Sequence, residues 1–149
     1  MTAPHGPAEE VADRLAIRET LAWYMRAMRE KHLDGMDDVF TPDAFIDYSA
    51  IGGTPGQWPE VKQWLAGMVL HVEFFSLYVG DVFPVFDAAR EHATVDSTWH
   101  GVFVAAPGEV PLIVYGSYTD EFVRTPDGWR ISRRQDRPAI QVPAGGAGQ

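Results

Sequence analysis

Apolar and polar positions alternate along the chain with two different periods, and the change from one to the other divides it. From about Ala8 to Glu30, Val11, Leu15, Ile17, Leu21, Tyr24, Met25 and Met28 recur at helical spacing. Glu9, Glu10 and Asp13 sit near the start, where a helix favours anions. A second short helix is predicted over about Leu33 to Phe40, with Leu33, Met36, Val39 and Phe40 on one side, and Thr41-Pro42-Asp43 then breaks the chain. Ala44 to Tyr48 reads as a short strand ended by Gly52-Gly53-Thr54-Pro55-Gly56. Pro59 suits the first turn of a third helix, whose Val61, Trp64, Leu65 and Met68 form a stripe reaching His71.

Beyond that point the period is that of sheet. Strands are predicted over about 74–86, 93–105, 112–124 and 129–136, with Thr125-Pro126-Asp127-Gly128 as the hairpin turn between the last two. Helices followed by antiparallel strands predict an α+β domain, a curved sheet with helices on one side. The domain is expected over residues 8–138. Residues 1–7 and 139–149, rich in Pro and Gly, are expected to be flexible ends.

Composition changes this picture only at the margins. The 149 residues suit one domain, and 46% hydrophobic content is enough for a core. The absence of Cys excludes disulfides, thiol nucleophiles and cysteine-ligated zinc. A net charge of −9 argues against nucleic acid or a membrane surface as partner. The five histidines show no helical i, i+4 pair, so no metal is expected. No apolar run approaches the roughly 20 residues of a membrane span, and the first residues carry no export signal. A cytoplasmic location is the expectation.

Several short stretches then take on meaning through their order. Ala16-Ile17-Arg18-Glu19-Thr20-Leu21 and Tyr24 precede Phe40-Thr41-Pro42-Asp43-Ala44 and Ile46-Asp47-Tyr48, and Tyr118 to Arg124 precede Asp127-Gly128-Trp129-Arg130. This order resembles the SnoaL-like branch of the nuclear-transport-factor-like superfamily over most of residues 12–137. The resemblance implies a cone-shaped α+β barrel, with a curved, mostly antiparallel sheet and three helices packed on its concave side around one apolar pocket. Family members include polyketide cyclases, steroid isomerases, scytalone dehydratase and a dehydrochlorinase, together with catalytically silent association subunits. Fold alone therefore does not fix the chemistry. A homodimer is implied by the same resemblance.

The dehydratase-like members pair a helix-1 aspartate with a histidine. Those positions here are Arg29 and Leu77, the latter before Tyr78-Val79-Gly80. Dehydration by that dyad is accordingly ranked below cyclisation or isomerisation. The tyrosine of the family's Asp-Tyr strand motif matches Tyr48, which could donate to a substrate oxygen or simply pack as a strand tyrosine. Alternation puts Ser132, Arg134 and Asp136 on one face, the one lining the pocket in family members. Asp136 could act as a base if apolar walls raised its pKa, or could pair at the surface with Arg134 or Arg137.

His100 could exchange a proton with Asp136 or Tyr48, but Trp99 and His100 point to opposite faces and the pattern does not say which is inward. His71 reads as a complement to a helix end. Arg29 could hold a substrate carboxylate, form a salt bridge to Asp47 or face solvent. Tyr24, Met28, Leu77, Trp99, Phe103 and Tyr118 are candidate pocket walls whose alternative is plain core packing. The Arg130, Arg133, Arg134 and Arg137 cluster reads as an outer sheet face or dimer contact. Together these residues point to a cofactor-independent cyclase or isomerase, or an epoxide-opening or dehydrating relative. Its substrate would be an apolar oxygenated polyketide- or terpenoid-like metabolite, with Tyr48, His100 and Asp136 as catalytic groups. The other reading is a non-catalytic ligand-binding or association subunit.

Overall fold

Helix α1, Ala8–Arg29, carries Glu9 and Glu10 in its first turn and Arg26 and Arg29 in its last, as the helix dipole favours at each end. In this computed structural model, which describes residues 7–137 and 140–145, Ile17, Leu21, Tyr24, Met25 and Met28 are buried. The apolar stripe is shorter than its periodicity predicts. Val11 and Leu15 are 55% and 56% exposed, and Asp13 is buried in their place. Asp13 accepts from Trp129 Nε1 at 3.1 Å and from Arg124 Nη2 at 2.8 Å, so the last hairpin is tied to the first helix. Burial would raise the Asp13 carboxyl, but Arg124 and Trp129 hold it below its ordinary value.

A 3-10 helix covers Leu33–Asp38, ending before the expected Phe40, which instead opens strand β1, Phe40–Asp47. Thr41-Pro42-Asp43 does not break the chain. It forms an irregular stretch of β1 where pairing skips from Phe40 to Phe45, because proline cannot donate to a ladder. A 3-10 turn at Ser49–Ile51, the short β2 at Gly56–Gln57 and helix α2 at Trp58–Val69 follow. His71 lies past α2, and its Nδ1 is 2.8 Å from the Gly67 carbonyl of the last turn.

Strands β3 (Phe74–Phe86), β4 (His92–Val104), β5 (Leu112–Thr125) and β6 (Gly128–Asp136) complete a sheet of order β2-β1-β6-β5-β4-β3. All pairs are antiparallel except β1 with β6. The hairpin turn closes where the sequence places it. Thr125 Oγ1 donates to the Gly128 carbonyl at 2.7 Å, and Gly128 takes a φ of 107°, which glycine adopts without strain. The helices cover one face of the sheet, and the core lies between.

Two departures shape the site. The segment expected to be a flexible tail from residue 139 contains strand β7, Ile140–Pro143, which pairs with Leu112–Tyr115 of β5 beyond the point where β6 ends. Residues 1–6, 139 and 146–149 of the expected flexible ends, together with residue 138, lie outside the described residues. The second departure is a bulge in β6. Pairing runs from Phe122–Ile131 to Glu121–Arg133, so Ser132 is the extra residue and bonds the Glu121 carbonyl. Ser132 therefore does not share the inner face in the simple alternation expected. The bulge lets Ile131, Arg134 and Asp136 all be buried.

Candidate functional site

The inner sheet face holds a charged group with no access to water. Arg134 is 0% exposed, and its Nε and Nη2 each donate at 2.8 Å to the two oxygens of Asp120, also 0% exposed. Its guanidinium lies 3.8 Å from the centre of the Tyr118 ring and 4.6 Å from that of Tyr24. Burial opposes both charges and raises the Asp120 carboxyl, but Asp120 beside it raises the Arg134 pKa well above its ordinary value, so the guanidinium keeps its charge, and the two parallel 2.8 Å bonds fit a carboxylate facing it. The remaining arm, Nη1, reaches Tyr48 Oη at 3.4 Å, and Tyr48 Oη lies 2.7 Å from Tyr24 Oη. Burial pushes the phenols of Tyr24, Tyr48 and Tyr118 well above their ordinary range. They are neutral hydrogen-bonding groups here, not bases.

Asp136 is the cross-strand partner of Tyr118 and is only 2% exposed. Neither of its carboxylate oxygens makes a close, well-aligned hydrogen bond among the described residues, and the N–H groups that act on it are the Arg137 backbone and the Trp99 indole. Burial raises the Asp136 carboxyl to about 7, against the weaker downward pull of Arg134, the Arg137 backbone N–H and the Trp99 N–H, and with a further push from Asp120. A carboxyl poised near neutrality can both accept and return a proton.

Trp99 separates this group from an apolar cavity of about 190 Å³. Its ring stacks on Tyr118 with centroids 5.7 Å apart and sits directly over Gly116, where any Cβ would collide with it. Phe75, Trp99, Phe103 and Val114 of the sheet form one side of the cavity, and Ile51 and Met68 come from the 3-10 turn and α2. Leu112 and Gln141 complete the lining, Gln141 from the unforeseen β7.

The candidates from sequence divide clearly. Trp99 and Phe103 line the cavity; Tyr118 packs against Trp99, Tyr48 and Tyr24. Tyr24, Met28, Leu77 and Tyr48 are buried but do not line it. His100 is on the wrong face for an exchange with Asp136. It is exposed and stacks between Tyr78 and Tyr115, at 5.5 and 6.3 Å, on the outer side of the sheet. Arg29 is exposed at the end of α1 and cannot hold a buried ligand. The Arg cluster also divides, since Arg134 is internal while Arg133 is exposed.

Asp120 and the cavity residues Ile51, Met68, Phe75, Leu112, Val114 and Gln141 were not singled out by sequence. A signal for Asp120 exists in the alternation Tyr118, Asp120, Phe122, which places a carboxylate among inward aromatics. No group of three or more acidic or His side chains is placed to hold a metal among the described residues. No described helix is long and apolar enough to cross a membrane.

Comparison with known proteins agrees with this architecture. A family model described as a SnoaL-like domain matches residues 9–135. An uncharacterized protein of Mycobacterium tuberculosis strain H37Rv is 38% identical over 132 residues, covering 89% of each chain. Among solved structures, a Kribbella flavida protein superposes with TM-score 0.78 at 23% identity, covering 89% of this chain and 95% of the other. A Novosphingobium aromaticivorans protein named for scytalone dehydratase gives 0.79 at 20% identity, covering 93% and 91%. A hexachlorocyclohexane dehydrochlorinase from Novosphingobium barchaimii gives 0.78 at 18%, covering 93% and 94%. At these identities the solved structures establish the fold and nothing finer.

Proposed function

The chain belongs to the SnoaL-like domain family, and we propose that it is a cofactor-independent acid–base enzyme, a cyclase or isomerase, acting on a small apolar oxygenated molecule with Asp136 as its proton-transfer group. The observation that carries this reading is a buried carboxyl with no cation bonded to it, raised to about 7 by burial and set beside the indole that walls an apolar cavity. Buried polar groups are otherwise almost always paired, so an unpaired carboxyl beside a cavity is a group held ready for a partner.

The step suits a ligand with a C–H beside a carbonyl. The Asp136 carboxylate takes that proton across the edge of the Trp99 ring, directly or through one water. The C–H electron pair becomes the new C=C bond, and the carbonyl oxygen takes the negative charge. Return of the proton to a different carbon isomerises the ligand, whereas attack of the enolate carbon on a second carbonyl of the same molecule closes a ring. An apolar pocket can hold the molecule in the folded geometry such closure needs. Tyr48 acts through Arg134 and Tyr24, fixing the inner face, because its hydroxyl is already engaged there.

A test that needs no natural substrate is exchange of the α-protons of 2-indanone in D2O, followed by NMR. The wild-type protein should speed exchange above buffer, with a rate that rises through about pH 7 as Asp136 ionises. Asp136→Asn should lose roughly 100-fold or more, the usual scale of a general base. Tyr48→Phe should lose less. No acceleration by the wild type, or full activity in folded Asp136→Asn, would overturn the reading. One observation favours the second class, a non-catalytic binder: Trp99 and Tyr118 fill the space between the cavity and Tyr48, so Tyr48 does not face a ligand. Binding of 2-indanone without exchange would support it.

A further inference from the structure

Strand β7 reverses the usual rule for a strand over an apolar space, which turns apolar side chains inward and polar ones outward. Its register pairs Gln141 with Val114 and Ile140 with Tyr115, so Gln141 faces the inner side and lines the apolar cavity. Ile140 and Val142 face outward and are 66% and 45% exposed. Burial does not set this register. A slip of one residue would bring an apolar side chain over the cavity and put the amide in water. Gln135 of β6 spends its amide on the Asp136 carbonyl at 3.0 Å, whereas the Gln141 amide has no such bond among the described residues. A polar group held against the hydrophobic pattern, with its donors and acceptor unspent, is the kind of local exception that function maintains.

Strands β6 and β7 pair with the same edge of β5, and this sets Gln141 in line with Asp136. Asp136 is opposite Tyr118 and Gln141 is opposite Val114, four residues along β5 on the same inner face. At about 3.4 Å per residue the two backbones stand roughly 14 Å apart. Between them is Gly116, bare of side chain, with the Trp99 ring over it. Trp99 and Val114 are buried, while Gln141 is exposed and marks the mouth of the cavity. A ligand in the cavity therefore has Asp136 beyond its inner end and the Gln141 amide at its outer end.

We propose that Gln141 is a specificity-determining residue, whose amide receives a neutral hydroxyl or carbonyl at the outer end of the ligand. This inference rests on the acid–base reading above and narrows its substrate class to molecules with oxygen at both ends of an apolar body. The inner oxygen activates the C–H that reacts, and the outer one is recognised. An amide offers donors and an acceptor together, so a hydroxyl can satisfy it in either sense. No charged side chain lines the cavity, so nothing there offsets a charge on the ligand. An apolar cavity of about 150 Å³ accommodates benzene, and about 190 Å³ leaves room for a ring with a few added atoms.

The experiment compares 2-indanone with 5-hydroxy-2-indanone, which adds a hydroxyl at the end of the rings remote from the carbonyl. Both are titrated into the full-length wild type and Gln141→Leu. The ratio of the two affinities is read within each protein, so a general change in affinity cancels. The advantage of the hydroxyl compound should fall roughly three- to ten-fold in Gln141→Leu, the scale of one neutral hydrogen bond. A second measurement needs no variant. The chain has no Asn and five Gln, so its side-chain amide NMR spectrum is small. The Gln141 amide signals, assigned through their own backbone, should move with 5-hydroxy-2-indanone and much less with 2-indanone.

An unchanged ratio in folded Gln141→Leu overturns the inference. So does a Gln141 signal that ignores the added hydroxyl, or failure of both ketones to bind the wild type. The wild-type spectrum decides the matter if Gln141→Leu fails to fold. A preference that depends on Gln141, without any α-proton exchange, would leave this assignment standing and remove the base role of Asp136. Exchange that depends on Asp136, with no such preference, would do the reverse.

Discussion

Asp120 and Asp136 occupy the same inner face of one sheet, both buried, both close to Arg134. Asp120 meets the guanidinium with two parallel hydrogen bonds of 2.8 Å. Asp136 has no such cation bonded to it, only the Arg137 backbone and Trp99 indole N–H groups nearby, and it stands beside the indole that walls the cavity. Burial acts on both, so burial alone does not separate them. What separates them is satisfaction. A carboxylate matched by a fixed cation is part of the scaffold, whereas one left unmatched near a cavity keeps its capacity for chemistry.

The contrast is broken most directly at its structural end. Asp120→Ala leaves the Arg134 charge buried without its partner and should cost about 3–5 kcal/mol, read as a lower urea midpoint. Replacing the pair together, with Asp120→Leu and Arg134→Met, should restore most of that loss, because neither charge then needs solvating. A single substitution that cost less than about 1 kcal/mol would mean that the pair is not part of the scaffold.

Asp136 predicts a different signature, visible in pH rather than in absolute stability. Its folded pKa, about 7, lies above the ordinary 3.8 of the unfolded chain. The stabilisation from its protonated form is therefore complete below about pH 4 and is lost as pH rises through about 7. The nearby groups that act on this value are Arg134, the Arg137 backbone N–H, the Trp99 N–H and Asp120, and the Tyr118 phenol feels the Asp136 charge in turn. Asp136→Asn removes the titration, so its stability relative to wild type should improve by roughly 2–3 kcal/mol between pH 5 and pH 8. Urea unfolding of both proteins at the two pH values gives the number. A difference that does not change with pH would place Asp136 in a solvated setting and dissolve the contrast with Asp120.

The helix-then-sheet order and the hairpin turn were legible in the sequence, because each follows from local period or turn chemistry, whereas the inward placement of Arg134 and Asp136 followed only from the family resemblance. The site was legible only in part. Counting back from the Thr125–Gly128 turn pairs Asp120 with Arg133, and only the bulge at Ser132 moves Arg134 opposite it. A one-residue bulge leaves no clear periodic trace, and so the buried ion pair stayed hidden. Strand alternation could not orient Trp99 and His100, since it fixes parity but not sign. The size of the cross-strand neighbour settles it: the Trp99 ring needs the space over Gly116, while His100 sits among the outer tyrosines. Gln141 escaped notice because Pro- and Gly-rich flanks made its segment read as tail, although Ile140–Pro143 extends the sheet along β5.

The smallest expected effect tests the division between the two faces. His100 stacks between Tyr78 and Tyr115 with its ring in solvent, and the sheet itself lies between it and Asp136. His100→Ala removes stacking at an exposed position and should change stability by no more than about 0.5 kcal/mol. Exchange of 2-indanone protons should stay at the wild-type rate. A loss of about ten-fold in exchange would require a proton to cross the sheet, for which the alternating β4 side chains supply no route. The inner carboxyl and the outer imidazole would then have to be treated as one site, and the distinction between a satisfied and an unsatisfied group on the inner face would no longer be enough to locate the chemistry.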